Sequence, residues 1–323
     1  MDGNEGQSFR DAERQLWHHV GARPREIFLR LRGPQVRVRV QEVGEGRPVL
    51  FVHGGPNAGT TWAPLVAQMQ DFRCLVLDRP GCGLSEPVDY RGSGLRRLAT
   101  DVLHSLLDAL EIERLPIVAS SMGGLWSLWL AQAHPQRVSR MVQLGCPALV
   151  EGMKIPPFMR MLSVPFLNRF LTRAMPATVD SARDLYRQIG HAASIETGRI
   201  PGVYFNWAHH LTVGTDTMSH ELNMIEKALT WRGTRPELLF DRAELRRVHQ
   251  PTLFIWGEDD PFGGAELARQ TVTWTPDARL HLIPASGHLP WLDAPEEVST
   301  LAREFLRAAD RAEAKKARAT TTQ

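Results

Sequence analysis

The sequence predicts an α/β protein: a mostly parallel central sheet with helices on both faces, interrupted by an inserted helical cap. Three observations lead there. Short, continuously apolar runs recur along the chain, as expected of strands buried on both faces. Stretches of helical spacing separate them, and that alternation builds parallel sheets. Between residues 148 and 232 the alternation gives way to a segment crowded with methionine, phenylalanine and proline, too long for an ordinary loop.

Residues 1–25 are polar and charged, lack the apolar core of a secretory signal, and are expected to form a polar leader. Residues 26–31 and 35–43 alternate apolar and polar side chains around Arg32-Gly33-Pro34, the pattern of a half-solvated antiparallel hairpin. Residues 48–52 form a buried strand ending in His53-Gly54-Gly55-Pro56-Asn57. A helix over 62–70 and a strand over 73–77 follow, closing on Asp78-Arg79-Pro80-Gly81-Cys82-Gly83. Leu95, Leu98, Val102, Leu103, Leu106 and Leu110 recur at helical spacing behind glycines at 92 and 94, one stripe facing a core. Residues 117–120 then read as a strand, 121–134 as a helix and 138–144 as a strand. After the insertion, which shows no strand signal, come a strand over 251–256, a helix over 265–273, a strand over 279–283 and a helix over 295–309. The expected organisation is therefore a core of 26–147 and 233–309, a helical cap of 148–232 and a flexible tail of 310–323.

Composition narrows the function. A hydrophobic share of 43% supports a sizeable core, and a net charge of +2 gives no case for a nucleic-acid partner. No apolar run is long enough to span a membrane. Cys74, Cys82 and Cys146 are odd in number and form no CxxC pair, which reads as reduced thiols in a cytoplasmic protein. Neighbouring rings in His18-His19 and His209-His210 point apart on either a helix or a strand, so no metal site is expected.

The chemistry centres on Ala119-Ser120-Ser121-Met122-Gly123, where an apolar strand breaks into small residues and resumes as a helix. A nucleophile at so tight a turn needs small residues two before and two after it. Around Ser121 these are Ala119 and Gly123; around Ser120 they would be Val118 and Met122. Ser121 is therefore the expected nucleophile. A serine hydroxyl needs an imidazole to take its proton and a carboxylate to orient that imidazole. Carboxylates follow one strand in Gly257-Glu258-Asp259-Asp260, and an imidazole follows the next in Gly287-His288. Both lie at carboxyl ends of strands, where ligands bind in such sheets.

Taken together, these stretches resemble the α/β-hydrolase superfamily over nearly the whole chain except the leader, the insertion and the tail. His53-Gly54-Gly55-Pro56 is similar to its oxyanion loop, Ala119 to Gly123 to its nucleophile elbow, residues 257–260 to its acid loop and Gly287-His288 to its histidine loop. The resemblance selects Asp260 as the acid, three positions after the glycine. It also implies the backbone N–H groups of Gly55 and Met122 as the oxyanion hole. It leaves Asp78 and Arg79 structural and gives His53 the task of holding the oxyanion loop. His53, Asn57 and Trp291 are candidate pocket residues. Dehalogenases and epoxide hydrolases of this fold use aspartate where Ser121 stands, so Tyr186 and Tyr204 have no epoxide to polarise. The expected protein is a capped serine carboxylesterase acting on a small-molecule, apolar ester with no cofactor. C–C bond hydrolysis, perhydrolysis and ligand binding without catalysis are the alternatives.

Overall fold

The computed structural model describes residues 3–90, 94–165, 167, 168, 170 and 177–320. The expected glycine at 92 and cap positions 166, 169 and 171–176 lie outside the described residues.

Eight strands form the central sheet: β1 (Arg25–Arg30), β2 (Arg37–Val43), β3 (Arg47–Val52), β4 (Phe72–Leu77), β5 (Leu115–Ser120), β6 (Val138–Leu144), β9 (Thr252–Gly257) and β10 (Ala278–Ile283). Their spatial order is β1-β2-β4-β3-β5-β6-β9-β10. β1 and β2 form the expected antiparallel hairpin, and β2 meets β4 antiparallel; every other neighbouring pair is parallel. Leu50 and Val52 of β3 join the core on one face of the sheet, whereas Val49 and Phe51 join the core on the other. That strict period of two, apolar on both sides, explains the unbroken apolar runs.

The first of these faces is covered by α3 (Leu95–Ala109), whose apolar stripe is buried as its spacing requires, and by α4 (Ser121–Ala133), buried almost all round. On the other face lie α1 (Gly3–His19), α2 (Ala63–Val66), α12 (Pro290–Asp293) and α13 (Pro295–Thr320). The intervening short helices of the core are α10 (Arg242–Leu245) and α11 (Ala265–Trp274). The expected helix over 62–70 is shorter, a 3-10 turn at Gly59–Trp62 running into α2.

Three boundaries differ from the sequence reading. The leader is a docked helix: Phe9, Ala12, Leu16 and Trp17 are buried, a stripe masked by the surrounding charge. Within α1, Glu13 reaches Arg39 of β2 through both carboxylate oxygens, at 2.6 and 2.7 Å. Arg39, fully buried, also bonds Asp78 at 2.7 Å. At the other end, the tail continues α13 to Thr320. Finally, the segment expected to lack strands contributes β7 (Leu229–Thr230) to a small hairpin with β8 (Gly233–Thr234), since Trp231-Arg232 closes a two-residue turn.

Between β6 and that hairpin the chain is helical: α5 (Pro157–Leu162), α6 (Val179–Tyr186), a π-type turn at Arg187–His191, α7 (Ala192–Glu196), α8 (Gly202–Gly214) and α9 (Thr217–Ala228). These elements meet the loops at the carboxyl ends of the core strands. A Cβ on Gly81, after β4, would strike His220 of α9, and one on Gly190 would fall 2.7 Å from Gly287, after β10.

Candidate active site

β5 ends at Ser120 and α4 begins at Ser121, with no connecting residue. Ser121 adopts a left-handed φ of 52°, a costly conformation for a residue with a side chain. The packing around it enforces that turn. A Cβ on Gly123 would collide with the carbonyl oxygen of Val52, and one on Gly54 would lie 2.7 Å from Ser121 Cβ. Only glycine fits either place. The two serines separate cleanly: Ser120 is fully buried with its hydroxyl unpartnered among the described residues, whereas Ser121 is half-buried at the turn itself.

Asp260 and His288 follow β9 and β10, the second and third strands beyond β5. They converge on the end of β6, next to the elbow. His288 Nδ1 bonds Asp260 Oδ2 at 2.8 Å. The same oxygen accepts the Cys146 N–H at 2.9 Å, and Oδ1 accepts that of Phe262 at 3.0 Å. Three donors thus fix the carboxylate. Gly145, just after β6, has no room for a Cβ because the His288 carbonyl lies there, so the imidazole loop reaches within one strand of Ser121, a spacing of about 4.8 Å per strand. With Nδ1 donating to the carboxylate, the lone pair is on Nε2, which makes no hydrogen bond among the described residues. The Phe262 ring packs against the imidazole at 4.4 Å.

The N–H groups of Gly55 and Met122, the expected oxyanion donors, lie in different settings. Met122 is the second residue of α4, where backbone N–H groups have no partner within the helix and the helix end favours negative charge. For Gly55 the argument comes from its peptide. The Gly54 carbonyl accepts bonds from His53 Nδ1 at 2.6 Å and from Arg79 Nη2 at 3.0 Å. The peptide is trans, so its N–H, belonging to Gly55, points the opposite way, out of this buried cluster.

His53 is fully buried. Its Nε2 accepts the Arg79 N–H at 3.1 Å while Nδ1 serves Gly54, so both nitrogens are occupied. Burial, reinforced by the Arg79 charge, pushes the imidazole well below its usual pKa. It is a neutral brace. Asn57 is buried beside Tyr186, and the Tyr186 hydroxyl meets that of Tyr204 at 3.4 Å. Tyr204 in turn meets the Thr61 hydroxyl at 2.8 Å. The two tyrosines therefore tie α6 and α8 to the loop after β3. Trp291, a candidate for the pocket wall, instead stacks on Trp62 at 4.2 Å and donates to the Thr61 carbonyl at 2.9 Å. A large ring with one donor is best satisfied in such a buried slot.

Arg79 and Glu221 had no local signal in the sequence, being 142 residues apart. They form a fully buried ion pair at 2.6 Å, and a Cβ on Gly55 would collide with Glu221 Oε2. Burial opposes the Arg79 charge, yet the Glu221 carboxylate outweighs it and raises the guanidinium pKa. α9 thus reaches the loop after β3 through the arginine that holds Gly54. Asp78 is structural, its oxygens taken by Arg39, Gly59 and Leu84.

A parallel sheet with serine, carboxylate and imidazole at the carboxyl ends of neighbouring strands defines a hydrolase-like α/β protein. The chain matches the model of the alpha/beta hydrolase family over residues 49–301 and belongs to that family. It is similar, at 29% identity over 84% of this chain and 91% of the other, to a 2-hydroxy-6-oxononadienedioate/2-hydroxy-6-oxononatrienedioate hydrolase of Cupriavidus pinatubonensis. A 2-hydroxy-6-oxo-6-phenylhexa-2,4-dienoate hydrolase of Comamonas testosteroni is 27% identical over the same shares. Among solved structures, the carboxylesterase CesB of Bacillus subtilis superposes with a TM-score of 0.71 at 18% identity, covering 94% of this chain and 98% of that one; this likeness concerns the fold.

Proposed function

We propose that the protein is a serine hydrolase that cleaves small to medium apolar carboxylic esters without a cofactor. One observation carries the reading: an Asp260–His288 pair whose Nε2 makes no hydrogen bond among the described residues, one strand from a serine held in a strained turn. In this scheme Ser121 Oγ attacks the ester carbonyl and passes its proton to His288 Nε2. The N–H groups of Gly55 and Met122 stabilise the oxyanion, each donor lowering the barrier by about 3 kcal/mol. Collapse expels the alcohol with the proton from His288, leaving an acyl group on Ser121. Water, deprotonated by His288, then attacks the acyl carbon and releases the acid. The cap helices cover the site. Three buried, unpaired cysteines support a reducing, cytoplasmic setting.

Labelling with a fluorophosphonate tests the nucleophile. Wild type and Ser120→Ala are expected to label, and Ser121→Ala is expected not to, with ester turnover down by at least about a thousandfold. Labelling of Ser121→Ala at the wild-type rate would overturn the assignment.

C–C bond hydrolysis by the same residues is the second reading, favoured by the names of the curated relatives. Those names describe anionic substrates. Arg79, the guanidinium beside the oxyanion loop, is already committed to Glu221 and Gly54, which favours an uncharged ester. Parallel rates on p-nitrophenyl esters and on a 2-hydroxy-6-oxohexa-2,4-dienoate separate the two.

A further inference from the structure

A second histidine–carboxylate pair lies behind the first. His191 is fully buried at the end of the π-type turn, and its Nδ1 bonds Asp293 Oδ2 at 2.8 Å. Its Nε2 accepts the backbone N–H of Leu289 at 3.2 Å. A backbone N–H can only donate, so Nε2 carries the lone pair and Nδ1 the proton. Unlike His288, this imidazole has no free base; both nitrogens are used for construction.

The backbone N–H groups of the loop carrying His288 are taken up by this pair and its neighbours. Asp293 Oδ2 also accepts from the Ser286 hydroxyl at 2.8 Å and from the Gly287 N–H at 2.9 Å. The His288 N–H goes to the Ile189 carbonyl at 2.9 Å. Three consecutive N–H groups, at 287, 288 and 289, are therefore taken by Asp293, by Ile189 and by His191. Two of the three acceptors belong to the cap. Contact is close enough to exclude side chains: a Cβ on Gly287 would lie 2.5 Å from the Ile189 carbonyl, and Gly190 has a φ of 96° that suits glycine.

We propose that His191 is a positioning residue, a clamp through which the cap, anchored on Asp293, sets the loop that aims His288 at Ser121. This rests on the serine-hydrolase reading for its catalytic consequence, though not for the clamp itself. Nothing in the sequence marks it, since His191 and Asp293 stand 102 residues apart.

Substituting His191 separates a clamp from general packing. In His191→Leu, which cannot accept from Leu289 or donate to Asp293, kcat on a p-nitrophenyl ester and the rate of fluorophosphonate labelling should fall at least tenfold, with KM within twofold of wild type. A misplacement of about 1 Å suffices for losses of this order. His191→Gln, which offers one acceptor and one donor, should recover most of the rate. Amide hydrogen exchange supplies a readout independent of catalysis: the N–H groups of residues 287–289 should exchange at least a hundredfold faster in His191→Leu, with β9 unchanged. If His191→Leu does not fold, His191→Asn, too short to span both partners, carries the same expectation. Wild-type exchange at 287–289 in either variant would overturn the clamp. Wild-type labelling rates in His191→Leu would overturn its catalytic role while leaving Ser121 as the nucleophile. A wild type that does not label would instead refute the serine reading, and exchange would still decide the clamp.

Discussion

His53 shows how one residue's burial sets a property of the folded state. An unfolded chain protonates this imidazole near its ordinary pKa of 6.5, while burial and Arg79 hold it well below that value in the fold. Between the two pH values the unfolded state binds more protons, so stability rises with pH and falls as pH drops below 6.5, by up to about 1.4 kcal/mol per pH unit. Denaturant midpoints measured from pH 7 to 5 should decline more steeply in wild type than in His53→Asn. Equal slopes would show that His53 titrates normally in the fold. Asp293 acts at lower pH. Burial would raise its carboxyl, but the hydrogen bonds it accepts from His191, Ser194 and the Gly287 N–H bring it below the ordinary carboxylate value. Its contribution is present above about pH 4 and is lost as pH falls through the folded value.

At the scale of elements, α1 marks the limit of sequence reading. Strands β3 to β6 were legible because each carries a largely apolar run that meets buried layers on both faces, with only a few polar residues such as Arg73 and Gln143 within it. Ser121, Asp260 and His288 stand out as candidates because each lies just beyond a strand end, Ser121 immediately after β5, Asp260 in the turn after β9 and His288 in the loop after β10. The helical stripe of α1 was obscured by charge, and one of those charges, Glu13, is buried for a partner 26 residues away. Arg79–Glu221 and His191–Asp293 were hidden for the same reason, since a pairing across the fold leaves no periodicity in either segment. The buried carboxylate and a surface one should differ in measurement. Glu13→Ala leaves the Arg39 fork half unmatched and should cost about 3 kcal/mol in urea unfolding. Arg10→Ala, which removes an exposed contact to Glu26, should cost no more than about 0.5 kcal/mol. Equal costs would mean that Glu13 is not held as described.

For the whole molecule, the ties that join residues 148–232 to the carboxyl edge of the sheet include Glu221 to Arg79, the tyrosine pair to Thr61, and His191 to the His288 loop. The first two flank the loop after β3 and the third flanks the His288 loop. Loosening one should therefore affect stability and, on the proposed mechanism, chemistry together. Glu221→Ala leaves Arg79 buried without its carboxylate and should lower stability by about 3 to 5 kcal/mol. It should also slow fluorophosphonate labelling, because the Gly54 carbonyl loses a firmly held partner. Glu221→Ala with wild-type stability and labelling would show that the pair is dispensable.

α1 also has a history in time. Its Ser8 hydroxyl meets His210 at 3.1 Å, 202 residues later in the chain. At synthesis rates of about 5–20 residues per second, roughly 10–40 s pass before α8 leaves the ribosome. Through that interval the side of α1 that faces α8 lacks that partner, while Phe9, Leu16 and Trp17 already have β3 and α2 to pack with. α1 is thus completed in two stages, against the early strands first and against α8 only later.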